Sequence, residues 1–273
     1  MRMTEPSVCC LLLTADRQRF TDRAVECFLS QTYKNAHLLI YDTGEKPYIN
    51  SAPVLGAYWP ITIVYNPSSR GKKIGALRNE AIDMVKADII VHWDSDDWSA
   101  SRRVEFQVAV LEDYEYSHGN GHAATGYHNL LFLDTRRDGE QSDATEQHLL
   151  VGRGLRARKM QAWEYDYLRY GGSGPMPHVL GSSLVYWRDT WKAAPFVENL
   201  SQGEDSRFCK AVEVHAVNGV GLLGVDEPML IAEVHGGNTS SAYGVFDRHQ
   251  PHVNPEWRRA PEWDDYCRER LYP

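Results

Sequence analysis

Ile89-Ile90-Val91-His92-Trp93-Asp94-Ser95-Asp96-Asp97-Trp98 runs from an apolar stretch of strand length straight into three carboxylates. An unbroken apolar run of this kind reads as a strand buried on both faces, the pattern of a parallel sheet, and ligands of such sheets gather at the carboxyl ends of the strands. Three acids at one such end repel one another. A hard divalent ion with oxygen ligands and a phosphate-bearing substrate would relieve that repulsion. An acidic turn capping the next helix is the plainer account of an Asp-x-Asp in isolation, so the neighbouring signals decide.

Upstream, strand and helix signals alternate as in a parallel α/β sheet. Residues 7 to 14, Ser-Val-Cys-Cys-Leu-Leu-Leu-Thr, read as a buried strand, and Phe20, Ala24, Phe28 and Leu29 then fall on one face of a helix. His37-Leu38-Leu39-Ile40-Tyr41 is a second strand that stops at Asp42-Thr43-Gly44, and residues 45 to 60, with Pro47, Pro53 and Pro60, form an irregular connection. A third strand, Ile61 to Tyr65, leads through Asn66-Pro67-Ser68-Ser69-Arg70-Gly71-Lys72-Lys73 into a helix carrying Ile74, Leu77, Ala81, Ile82 and Val85. The opening stretch is the fourth strand. Beyond it Ser99 and Ser101 are candidate caps for a helix that buries Val104, Val108 and Leu111.

The regular alternation ends near residue 115. Thr125 to Leu133 and Val179 to Trp187 read as strands, and residues 134 to 178 as a long loop with a short helix near Trp163 to Leu168. Glu204 to Val214 reads as a helix, Leu222 to Val225 and Met229 to Val234 as short strands, and residues 243–273 as an irregular tail.

The composition narrows the classes. A chain of 273 residues with 42% hydrophobic content can bury a large core. A formal net charge of -8 argues against general attraction to nucleic acid or anionic membrane, although Arg153-Gly154-Leu155-Arg156-Ala157-Arg158-Lys159 is a local basic run. No apolar stretch approaches the roughly 18 residues that span a bilayer. The start, Met1-Arg2-Met3-Thr4-Glu5-Pro6, lacks the apolar region of a secretory signal, so the expected setting is cytoplasmic. Five cysteines show no metal-ligand spacing, and Cys9 and Cys10 sit in an apolar run as small buried hydrophobes.

Five signals in order carry a resemblance. Leu13-Thr14-Ala15-Asp16-Arg17, Tyr41-Asp42-Thr43-Gly44, Ala76-Leu77-Arg78-Asn79, Asp94-Ser95-Asp96-Asp97 and Gly203-Glu204-Asp205 together resemble a family 2 glycosyltransferase of the GT-A fold. The resemblance implies a Rossmann-like mixed sheet flanked by helices, with a less regular acceptor-side half. It divides the chain into a nucleotide-sugar-binding βαβ half (1–115), an acceptor and catalytic half of the same domain (116–242) and the tail. The implied reaction is inverting, metal-dependent transfer of a sugar from a nucleotide-diphosphate donor, UDP-linked first, to a hydroxyl of a saccharide, lipid-linked glycan, protein or modified nucleic acid.

The same resemblance distributes the roles. Asp42 is the expected base reader, since a carboxylate accepts ring N–H donors, with Thr14 and Asp16 beside it. The family's usual Pro-Thr-Tyr-Asn stands here as Leu13-Thr14-Ala15-Asp16, without the stacking Tyr. Lys73 and Arg78 are expected on the diphosphate, helped by the helix amino terminus, and Lys72 is a further cation of the same loop. If the chain stays extended, Asp94 and Asp96 share a side with Asp97 opposed. Asp94 and Ser95 are then donor contacts, Asp96 a metal ligand and Asp97 a supporting acid. Asp205, preceded by Glu204, is the expected catalytic base. His235 resembles a metal-completing histidine, which favours Mn²⁺ over Mg²⁺. Trp163, His178 and Ser182 are acceptor-side candidates, and His92 is a satisfied core histidine. The rival readings are a GT-A-like binding module without turnover and a nucleotidyltransferase; the latter would carry a Gly-rich loop where Thr14-Ala15-Asp16-Arg17 stands.

Overall fold

The computed structural model describes residues 5–49, 60–118, 123–135, 160–166, 179–215, 220–223, 228–235 and 257–272. Contacts group the chain into two units, residues 1–128 with 174–230 and residues 129–173 with 231–273.

The first unit is built on strands β1 (Val8–Thr14), β2 (Ala36–Asp42), β3 (Ile61–Tyr65), β4 (Ile89–His92), β6 (Ala124–Tyr127), β9 (Val185–Trp187) and β10 (Val220–Leu223); the two-residue β5 (Trp98–Ser99) follows β4 in the chain. The order in the main sheet is β10-β6-β9-β4-β1-β2-β3. β1 pairs in parallel with both β2 and β4, and β2 with β3, whereas β9 runs antiparallel between β4 and β6. This is a mixed α/β sheet of the kind that the sequence resemblance implies. Helices α1 (Gln18–Leu29), α2 (Ile74–Asp83), α3 (Arg103–His118), α4 (Arg188–Ala193) and α5 (Glu204–His215) accompany it.

Burial on both faces explains the unbroken apolar strands. On β1, Val8, Cys10 and Leu12 join one core cluster with Ala24, Val25 and Phe28 of α1 and Val104, Val108 and Leu111 of α3. Cys9 and Leu11 point the other way, to Ala81 and Ile82 of α2 and Phe208 and Val212 of α5. Successive strand residues alternate faces, so a strand covered on both sides needs no polar positions. Of the expected face of α1, Ala24 and Phe28 are buried, joined by Thr21, Val25 and Cys27, whereas Phe20 is half-buried and Leu29 is 40% exposed. Thr21 enters the core because its hydroxyl is satisfied by the Arg17 carbonyl and by Thr14.

The second unit holds β7 (Asn129–Asp134), β8 (Gln161–Asp166), β11 (Leu230–Val234) and β12 (Trp257–Arg259), with helix α6 (Asp264–Leu271). The short helix expected near Trp163 to Leu168 is instead β8, because Gln161 to Asp166 form an antiparallel ladder with β7 and pair with β12 on the other edge. Long-range pairing here overrides local propensity. The tail is regular over its described part. α6 carries Asp264 and Asp265 in its first turn and Arg268 and Arg270 in its last, complementing the helix dipole, and it buries Cys267 and Leu271. The single strand expected over Thr125 to Leu133 is two, β6 and β7, on either side of His128. The basic run 153–159 lies outside the described residues. Among the described residues no helix is long and apolar enough to cross a membrane.

Candidate active site

β4 ends at His92 and the backbone turns at Ser95 and Asp96. The turn removes the alternation that would have set Asp94 and Asp96 against Asp97, because side-chain alternation holds only along extended chain. Each acid has its own surroundings. Oδ2 of Asp96 accepts from Nη1 of Arg17 at 3.1 Å, and the Asp96 carbonyl accepts from Nη2 of Arg23 at 2.5 Å. Asp97 is buried, and its Oδ2 has no hydrogen-bond partner among the described residues. Burial drives the Asp97 carboxyl well above the usual carboxylate range, the neighbouring Asp94 and Asp96 push it the same way, and a hydrogen bond with Ser182 pulls against them. Burial also raises Asp94, opposed by the Arg78 charge and assisted by Asp96. Ser95 is buried in the turn.

Arg103 is the fixed cation of this region and was not singled out by the sequence. It is wholly buried at the start of α3 and donates to Oε1 of Gln107 at 3.0 Å, Oγ of Ser99 at 2.9 Å and the carbonyls of His92 and Ser182 at 2.9 and 2.8 Å. Its charge opposes the rise of Asp94 and Asp97. It therefore ties the end of β4 to the segment before β9 and offsets the acids at the turn.

A second constellation lies where α2 meets the start of α5. Gly203 adopts φ of +70°, which a side chain resists, and delivers the chain into α5 so that Glu204 and Asp205 occupy its first turn. Glu204 is buried and pairs with Nη2 of Arg78 at 3.4 Å; burial raises its carboxyl and the Arg78 charge opposes the rise. Asp205 is only partly buried. Its Oδ1 accepts the Ser206 N–H at 2.7 Å, and its Oδ2 lies directly against Gly181, where the methyl group of an alanine would come within 2.1 Å of it. Glycine at 181 is thus what gives the Asp205 carboxylate its seat.

The donor-side candidates divide. Asp42 is 1% exposed and spends both oxygens on backbone, accepting the Gly44 N–H at 2.8 Å and the Tyr48 N–H at 2.6 Å. It holds the loop after β2. Replacing it with asparagine turns one acceptor into an NH₂ facing an N–H donor, so the Asp42→Asn protein is expected to lose about 1–3 kcal/mol of stability, read as a lowered urea midpoint with unchanged slope. Thr14 shares a hydrogen bond with Thr21. Asp16, at φ of 55°, accepts the Glu45 N–H at 2.8 Å and pairs with Nη1 of Arg70 at 2.7 Å, linking the loops after β1, β2 and β3.

The amino terminus of α2 differs from its expected anion-binding role. The Ile74 N–H donates to Oγ of Ser201 at 3.2 Å and the Gly75 N–H to the Leu200 carbonyl at 2.9 Å, so these first donors are already satisfied by protein. Lys72 is engaged by Glu80, whose carboxylate also accepts from Tyr41 and Ser69; burial works to raise Glu80, and these three partners lower it on balance. Lys73, immediately before α2, has no ion pair among the described residues. His235 follows β11 in the second unit, the backbone of Trp163 lies in β8, and His178 is outside the described residues.

Among the described residues no group of three His, Cys, Asp or Glu side chains is arranged to hold a metal by itself. The donor set nevertheless fits a divalent ion that completes its shell elsewhere. Asp94 and Asp96 offer hard oxygens, Oδ2 of Asp97 is a buried oxygen without a hydrogen-bond donor among the described residues, and ions of this type commonly combine one or two carboxylates with substrate phosphates.

The description "Glycosyl transferase family 2" matches residues 11–148, half of the chain. The "Putative glycosyltransferase EpsE" of Bacillus subtilis (strain 168) is 29% identical over 112 residues, covering 41% of this chain and 40% of that protein. Among solved structures, S. aureus TarS aligns with a TM-score of 0.53 at 14% identity over 84% of this chain and 37% of TarS. TarS 1-349 in complex with UDP-GlcNAc gives 0.52 at 15% identity, over 86% of this chain and 61% of that one. The mannosyltransferase PcManGT from Pyrobaculum calidifontis, in complex with GDP-Man and Mn²⁺, gives 0.51 at 12% identity over 85% and 57%. The chain spans less than two thirds of the length of each of these proteins.

Proposed function

This chain belongs to glycosyltransferase family 2, and from that premise we propose that it transfers a sugar, with inversion, from a nucleotide-diphosphate donor to a hydroxyl acceptor. The observation that carries the reading is the contrast between two adjacent acids at the start of α5. Glu204 is buried and committed to Arg78, whereas Asp205 is partly exposed and seated on Gly181. Asp205 is therefore the carboxylate able to take the proton of the acceptor hydroxyl as its oxygen attacks the anomeric carbon. Attack opposite the departing diphosphate inverts that carbon in one displacement.

At the donor end, Asp94 and Asp96 would hold the divalent ion, with Ser95 in the turn between them, and Arg17 and Lys73 would offer positive charge to the diphosphate. Bound Mn²⁺ or Mg²⁺ would supply Lewis-acid stabilisation of the leaving group. The UDP preference is supported by the UDP-GlcNAc held by TarS 1-349, and the choice of Mn²⁺ by the PcManGT complex. In this reading Asp42 shapes the base pocket by fixing the Gly44 to Tyr48 backbone. The acceptor hydroxyl belongs to a saccharide, a lipid-linked glycan, a protein or a modified nucleic acid. A nucleotide-sugar donor and five unpaired, buried cysteines support a cytoplasmic setting.

The test is a panel of nucleotide sugars scored for slow donor hydrolysis with Mn²⁺ or with chelator. A UDP-sugar is expected to release UDP only with metal; turnover that ignores chelator, or none with any donor, overturns the reading. Because the acids alone do not complete a shell, Mn²⁺ alone is expected to shift the thermal midpoint little. UDP with Mn²⁺ at roughly 100 times its Kd should add about 2.7 kcal/mol. An equal shift from Mn²⁺ alone would show a self-sufficient protein site instead.

A further inference from the structure

His92 makes contacts that a core-filling histidine does not require. It is 2% exposed on β4. Its Nδ1 lies 2.7 Å from the Gly181 carbonyl oxygen, Nη1 of Arg78 faces both ring nitrogens, 2.8 Å from Nε2 and closer still to Nδ1, and Nε2 lies 3.1 Å from the Tyr186 hydroxyl. A carbonyl oxygen can only accept and a guanidinium can only donate, so the ring donates to Gly181 and accepts from Arg78, which an imidazole with one proton can do. Tyr186, edge-on at 5.5 Å between centroids, and Phe196, tilted at 5.6 Å, fix the ring plane.

Both nitrogens lead to the pair at the start of α5. Through Nδ1, His92 fixes Gly181, the residue against which Oδ2 of Asp205 lies. Through its ring nitrogens' contact with Nη1 it orients the guanidinium whose Nη2 pairs with Glu204. We propose that His92 is a positioning residue for the Glu204–Asp205 pair, holding Gly181 beneath one carboxylate and Arg78 against the other. The inference rests on the transfer reading above, since it assigns Asp205 as the group being positioned. His92 itself is buried and acts through these two neighbours.

The test uses His92→Leu, which fills the volume and loses both bonds, and His92→Gln, whose Oε1 reaches the place of Nε2 and keeps the acceptor for Arg78. Both are assayed at a temperature where circular dichroism shows them folded. His92→Leu is expected to lower kcat on the order of 10²-fold, the cost of a small misplacement, with donor KM nearly unchanged. His92→Gln should recover part of that loss. A folded His92→Leu protein at the parental kcat overturns the proposal, because a purely structural role would lower only the melting temperature.

A second arm needs no turnover. In ¹⁵N-histidine spectra, the resonances absent from His92→Gln identify His92, which must show one protonated and one unprotonated ring nitrogen, with signals displaced by Glu204→Gln. Ring signals indifferent to Glu204→Gln also overturn it. Wild-type protein that turns over no donor refutes the transfer reading by itself, and the spectra then decide whether His92 holds the pair in place.

Discussion

Replacing Arg103 with methionine is expected to cost about 3–5 kcal/mol of folding stability, the range for removing one partner from a buried charged network. That is a large part of the roughly 5–15 kcal/mol that holds a domain together. Methionine approximates the volume of the side chain but leaves the carbonyls of His92 and Ser182, the Ser99 hydroxyl and the Gln107 side-chain oxygen without their donor. It also removes a charge that restrains the rise of Asp94 and Asp97, so these carboxyls move further up and one of them is more readily held neutral. Arg103→Lys keeps the charge but not the planar fork, and recovers only part of the loss. The measurement is the urea midpoint in chelator, where an unchanged Arg103→Met midpoint would refute the network. In the transfer reading proposed above, Mn²⁺ with UDP should bind the methionine variant more weakly, because Asp94 is then more readily protonated.

Arg103 also shows where the sequence stops being legible. The apolar positions Val104, Val108 and Leu111 give the buried face of α3, and the structure buries all three. Arg103 and Gln107 flank that face four residues apart, and nothing in the pattern separates them from a solvated edge; they are buried because the ends of two neighbouring segments offer acceptors there. Likewise Asp42 and Asp96 stand where the family order puts them, yet their present partners come from loops whose conformation no periodicity encodes. The first unit was readable because strands covered on both faces leave long apolar runs. β8 of the second unit was not, since its Trp, Glu and Tyr residues are compatible with a helix until β7 supplies a ladder. The pairing of Glu204 with Arg78 is invisible in a sequence that separates the two residues by more than a hundred positions, and it is this pairing that distinguishes the two acids of the Glu-Asp dipeptide.

That distinction leads to the largest expected loss of activity. Asp205→Asn should lower kcat by about 10²–10⁴-fold, the contribution typical of a positioned general base. The substitution is nearly silent for the fold. Asparagine retains an oxygen for the Ser206 N–H and places an NH₂ of similar size against Gly181, so the stability change should remain near the ±0.5 kcal/mol of ordinary partly exposed sites, with a few tenths more from the lost charge at the helix start. UDP and Mn²⁺ should bind as before, because the role proposed for Asp205 is toward the acceptor and not the nucleotide. Glu204→Gln should behave in the opposite way, losing stability first, since it breaks a buried pair with Arg78 and frees the guanidinium that His92 orients. If Asp205→Asn transferred at the parental rate while a folded Glu204→Gln did not, the base would have to be the buried acid. Glu204 would then need to leave Arg78 to reach an acceptor hydroxyl, and the burial that raises its carboxyl would be part of the chemistry rather than of the scaffold.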